Sequence, residues 1–136
     1  MIFIADLEAT ARSYLRAARL LNRRSSSSPD ASVYLCGYAV EIALKARICL
    51  TLGWAGCPSS KKEFEGYSSF KTHSLGHLLH LSGMETRFTT DPALWIEWST
   101  AANWDPEQRY NRVGTKTGQD AADMIAATAK ILRVLL

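Results

Sequence analysis

The sequence predicts an all-α protein: an antiparallel, up-and-down helical bundle of four main helices plus one short helix, in one domain spanning residues 1–136. Three observations predict it. Apolar residues recur at three- and four-residue steps over long segments, the period of a helix face. Cap-and-proline pairs open two of those segments. No strand of any length shows the alternation of a half-buried sheet.

Asp6 to Arg24 reads as the first helix, with Leu7, Ala11, Tyr14, Leu15, Ala18 and Leu21 on one stripe. Arg12, Arg16, Arg19 and Arg23 repeat at steps of 4, 3 and 4 and form a second stripe, roughly opposite the first at about 100° per residue. "SSSSP" then breaks the helix as a short polar connector. The second helix opens with Ser28 as cap, Pro29 at the first position and Asp30 complementing the dipole. It runs to about Leu52, where Gly53 ends it. Gly37 inside it costs about 1 kcal/mol against alanine, which points to a close helix crossing there.

Residues 53–71 read as a loop, followed by a short helix to Leu81 capped by Thr72 or Ser74. Asp91–Pro92 opens a helix with Leu94, Trp95 and Trp98 that fades near Trp104. "DPEQRYNRVGTKTGQ" is an irregular connection, and Asp120 to Leu136 is the last helix. Four main helices with one short extra helix imply an antiparallel bundle.

With 136 residues, 47% hydrophobic and 21% charged, the chain can bury a core without disulfide or metal support. "MIFIA" is too short for a signal segment or a membrane span. Three cysteines without a CxxC pair argue against a disulfide framework, so a reduced, cytoplasmic protein is expected, with no membrane association. A net charge of +3 does not by itself argue for nucleic acid; its concentration in one helix does more.

The segment "YLCGYAVEIALKARI", Tyr34 to Ile48, resembles the second helix of HEPN domains (higher eukaryotes and prokaryotes nucleotide-binding). There a Glu and a Lys four apart sit in an alanine- and leucine-rich helix, matched here by Glu41 and Lys45. "KTHSLGHLL" is similar to that family's Thr-His-Asp-Leu segment, with Ser74 in place of the acid, and "EQRY" at 107–110 to its Arg-Tyr element. The ordered elements cover roughly Leu7 to Leu135.

The resemblance implies a helical bundle that often dimerises. Many members act beside a minimal nucleotidyltransferase in toxin–antitoxin pairs, and others are metal-independent ribonucleases. The ribonucleases carry an Arg followed four to six residues later by a His. This chain departs from that pattern: Gly114, Thr115 and Lys116 hold those positions after Arg109, and Thr117, Gly118 and Gln119 after Arg112. A module without that catalytic motif is therefore expected. It would bind a protein partner, such as a nucleotidyltransferase, or nucleotide or RNA, in a toxin–antitoxin or defence setting. The alternative is a ribonuclease using Arg109 with a histidine from outside the motif, most simply His73.

Each polar cluster has a plain reading beside the functional one. Glu41 and Lys45 suit a helix-surface pair stabilising by about 0.2–0.5 kcal/mol; the resemblance instead has Glu41 orienting Arg109 across the bundle. The arginine stripe is either a solvated face or a surface for phosphate or an acidic partner, since arginine binds oxyanions bidentately. "RVGTKTGQD" does not match the GxxxxGK[ST] phosphate loop and reads as a turn, locally basic through Arg109, Arg112 and Lys116 beside Tyr110. Trp95, Trp98 and Trp104 suit core or dimer-interface positions, with Trp104 the one placed for base stacking.

His73, His77 and His80 fall within a narrow arc of one helix, but no HExxH motif or cysteine pair completes a metal site, and neither metal nor cofactor is expected. His73, in the Thr-His element, is the candidate site residue near Arg109. His77 and His80 read as packing or surface residues.

Overall fold

The structure, a computed structural model, describes residues 1–23 and 28–136. Arg24 and the serines 25–27 of the expected connector lie outside the described residues. The described chain is mostly helical: α1 Ile4–Leu21, α2 Pro29–Leu52, α3 Leu75–Leu81, α4 Glu85–Thr89, α5 Pro92–Ala102 and α6 Gly118–Leu135. One small sheet joins β1, Ile2–Phe3, antiparallel to β2, Gly56–Cys57. Among the described residues no helix is long and apolar enough to cross a membrane.

Helix α2 is the centre of the fold. It packs against α1, α6 and α3, while α5 lies against α6 and α4. Its buried side chains almost encircle it, as expected of a helix enclosed by others. Gly53, at φ 67°, ends α2 in the left-handed conformation that glycine adopts without steric cost. Leu7, Ala11, Leu15 and Ala18 of α1 form the buried stripe that the spacing predicts. Helix α6 opens with a capping box: the Asp120 N–H donates to Thr117 Oγ1 at 3.1 Å, and the Thr117 N–H to Asp120 Oδ2 at 2.8 Å.

Three expectations need correction. Among the described residues there are six α-helices, because residues 85–89 form α4, a five-residue turn too short to show periodicity. Phe88, fully buried with its ring 5.6 Å from that of Trp98, anchors it. The stretch expected to be wholly loop contributes β2, whose two residues are too few to show alternation. Ser28 makes no side-chain cap to α2. Asp30 instead accepts the backbone N–H groups of Gly114 at 2.8 Å and Lys116 at 2.9 Å, tying the loop before α6 to the start of α2. The Gly114 bond, the largest of these effects, lowers the Asp30 carboxyl below its usual range.

Candidate functional site

Tyr34, Tyr38, Glu41 and Lys45 follow one another on α2 at steps of 4, 3 and 4, so they share one face. Glu41 is the chemical centre of that face. It is 3% exposed, and each carboxylate oxygen has its own partner. Lys45 Nζ donates to Oε1 at 2.7 Å, and His73 Nδ1 meets Oε2 at 2.9 Å. Contacts of this kind offset the cost of burying a polar carboxyl group. The plain reading of Glu41–Lys45 as a helix-surface pair is therefore corrected.

His73 reaches Glu41 from the chain just before α3. The Ser74 N–H donates to Thr72 Oγ1 at 3.1 Å, and Ser74 Oγ accepts the His77 N–H at 3.3 Å, capping α3. This turn holds the imidazole with Nδ1 on Glu41, and half of its side chain remains exposed. The three histidines diverge: His77 Nε2 meets the Ser69 carbonyl at 3.2 Å, and His80 Nδ1 meets Glu85 at 2.7 Å.

Above Glu41 the face is aromatic. The indole of Trp104 lies flat against Gly37, where an added Cβ atom would come within 2.1 Å of three of its ring atoms. The close approach that Gly37 announces is therefore to a side chain. Trp104 packs edge-to-face on Tyr38 at 4.9 Å, and Tyr38 on Tyr34 at 5.1 Å. Trp104 is 6% exposed and its indole N–H has no acceptor among the described residues.

Arg109 closes the far end of this wall. It sits on a 3-10 turn, Pro106–Tyr110, started by Asp105, whose Oδ1 accepts the Glu107 N–H at 2.8 Å. Its guanidinium covers the Tyr110 ring at 4.7 Å, donates to the Pro106 carbonyl at 3.3 Å and lies 3.5 Å from Glu107. The phenols of Tyr110 and Tyr34 beside it hold it still more firmly protonated than usual. Glu41 thus orients His73 and not Arg109, which corrects the expected pairing. Both oxygens of Glu41 are taken, and Tyr34 and Tyr38 stand between the two centres. Beside His73 opens a groove of about 310 Å³, lined by His73, Ser74, Leu75, Gly76, Ala102, Trp104, Asp105 and Pro106.

The remaining candidates lie elsewhere. Lys116 lines a separate cleft of about 140 Å³ with Asp120 and Asp123. Arg112 and Tyr110 are exposed. Arg12, Arg16, Arg19 and Arg23 are exposed as well, but the first three flank the seam between α1 and α6 instead of standing opposite the core. Trp98 is buried, whereas Trp95 is half exposed beside the exposed Ile96. All three cysteines are free and buried. Cys57 lies against Cys49, whose hydrogen bond lowers the Cys57 thiol to about 7.

Sequence reading missed the part played by Tyr34 and Tyr38, although their spacing with Glu41 carried the signal. Comparison with protein families, with curated proteins and with solved structures finds no match.

Two groups of α2 make stability depend on alkaline pH. The hydrogen bond shared with Tyr34, then burial and the charge of Glu41, push the Tyr38 phenol from 10.0 to about 12. Burial pushes the Cys36 thiol from 9.0 to about 11. The folded state therefore keeps protons that the unfolded chain has released. That advantage is complete below about pH 9 and is lost as pH rises towards 12. Urea melts from pH 9.5 to 11.5, above the range in which the lowered Cys57 thiol titrates, are expected to show a steady fall in stability, smaller in Cys36→Ala; a flat profile would contradict these assignments.

Proposed function

We propose that this chain is a HEPN-like module that binds a nucleotide or RNA phosphodiester along the aromatic face between Arg109 and His73 without cutting it. The observation that carries the reading is the aromatic wall of Tyr34, Tyr38 and Trp104, with Arg109 at one end and the Glu41–His73 pair at the other. Aromatic rings and a fixed guanidinium are what bases and phosphates select. An up-and-down bundle is the arrangement that the resemblance implies for α1, α2, α5 and α6. Dimerisation belongs to the same reading, and exposed Trp95 and Ile96 on α5 offer an apolar face for it. So do a nucleotidyltransferase partner, a toxin–antitoxin or defence setting and residence in the cytoplasm, with which three free thiols agree.

Fluorescence anisotropy with a labelled single-stranded RNA, and competition by ATP, test the binding. Arg109→Ala is expected to weaken RNA binding about tenfold or more, and binding should fall as salt rises from about 50 to 200 mM. RNA affinity indifferent to Arg109 and to salt would remove nucleic acid as the ligand.

One observation favours a ribonuclease as the second reading. Glu41 engages Nδ1 of His73, which leaves Nε2 free to exchange a proton, the arrangement a general base requires. Arg109 would then stabilise charge on the phosphoryl oxygens. RNA incubated with the chain in EDTA separates the two readings. Cleavage lost in both His73→Ala and Arg109→Ala would establish the enzyme, and intact RNA with retained binding supports the module.

A further inference from the structure

The seam between α1 and α6 holds a groove of about 600 Å³ that the nucleotide reading does not use. Its floor is apolar, made by Leu15 of α1 with Ala129 and Leu132 of α6. Its edges are cationic. Arg12, Arg16 and Arg19 succeed one another along α1 over about 10 Å of helix rise, and Arg133 stands on the α6 side. Among the described residues only one carboxylate reaches any of these four: Glu8, 3.4 Å from Arg12. Arg16, Arg19 and Arg133 have no acid within ion-pair distance among the described residues, and all are exposed.

We infer that this groove docks an acidic amphipathic segment of a partner protein, its apolar side chains on the floor and its carboxylates on the arginine edges. The charge pattern selects the occupant. Four guanidinium groups with a single nearby acid call for an anionic partner, and each fork matches a carboxylate bidentately. The apolar floor selects a polypeptide over a nucleic acid, because a phosphate backbone brings charge but nothing to pack on the partly exposed Ala129 and the arginine stems, which lie over the buried Leu15 and Leu132. An apolar stripe with acids on both flanks is what an amphipathic helix presents when it lies in a groove. The arginine stems extend the apolar surface below their charged heads, so both edges contribute packing as well as charge.

The test uses the full chain and three fluorescent probes. The first is a peptide of about sixteen residues, roughly four helical turns, with leucines at helical spacing flanked by glutamates. The second is the same composition scrambled, and the third a single-stranded RNA. The amphipathic peptide is expected to bind at least about tenfold more tightly than the scramble, a difference of about 1.4 kcal/mol. Arg16→Glu and Arg133→Glu, both surface changes whose folding is checked by melting, should each weaken it several-fold. Ala129→Lys adds positive charge but fills the floor, so it should weaken the peptide and not the RNA. His73→Ala and Arg109→Ala should leave peptide binding unchanged, which keeps this result separate from that at the nucleotide face. Equal binding of peptide and scramble, no peptide binding, or RNA binding that depends on Arg16 and Arg133 with a steep salt response would each overturn the inference.

Discussion

Replacing Glu41 by alanine is expected to lower the unfolding free energy by about 2–4 kcal/mol. Removing one member of a buried ion pair typically costs about 3–5 kcal/mol, because the partner is left charged and unpaired. Here Lys45 retains some access to water and His73 is half exposed, so the loss falls at or below the lower part of that range. An exposed helix pair would give only about 0.2–0.5 kcal/mol, so a urea melt separates the alternatives. Glu41→Gln keeps the shape but places an amide between Lys45 and His73. It should restore part of the stability while still releasing the imidazole from its fixed orientation. Nitrogen NMR of the His73 ring in alkaline buffer reads that orientation: one tautomer, protonated at Nδ1, in the native protein and a mixture in Glu41→Gln. A change below about 0.5 kcal/mol in Glu41→Ala would mean that the carboxylate is not the centre of this site.

The second large effect is expected at Gly37. In an isolated helix a larger side chain there would stabilise, since glycine is about 1 kcal/mol worse than alanine. In this fold the added atoms meet the Trp104 indole, so Trp104 must move and its contacts with Tyr34 and Tyr38 open. Gly37→Leu should therefore destabilise by about 3 kcal/mol, the cost of overpacking a well-filled core. Trp104→Ala alone should cost about 3–5 kcal/mol by leaving a cavity. The double variant should be less destabilised than the sum, because the leucine can occupy the vacated space. A double-mutant cycle measures that coupling, and strict additivity would show that Gly37 and Trp104 do not meet.

The helices that could be read from sequence are those long enough to repeat their own pattern. In α1, α2, α5 and α6 the apolar spacing spans several turns, and Asp91–Pro92 and Gly53 mark ends that the structure retains. Helix α4 could not be read this way. Five residues make little more than one turn, and only the burial of Phe88 against Trp98 gives the segment a reason to be helical. Likewise, β1 and β2 exist because each supplies the other's backbone partners across more than fifty residues of chain.

The site divides in the same way. The Glu41–Lys45 contact is local, a one-turn spacing on a helix, and follows directly from the sequence. The Glu41–His73 contact joins residues 32 apart, and the resemblance pointed to both residues without pairing them. The resemblance has Glu41 orienting Arg109, whereas Glu41 pairs with Lys45 and His73. The helical register of α2 puts Tyr34 and Tyr38, not open space, between Arg109 and Glu41. Which residues share a helix face follows from a period of 3.6 residues and is settled by the sequence itself. Which distant group fills the second oxygen of a buried carboxylate, whether an indole lies on a glycine, and which arginines border an apolar groove depend on how whole helices pack. Those outcomes are shared among many weak contacts, and only the tertiary structure decides them.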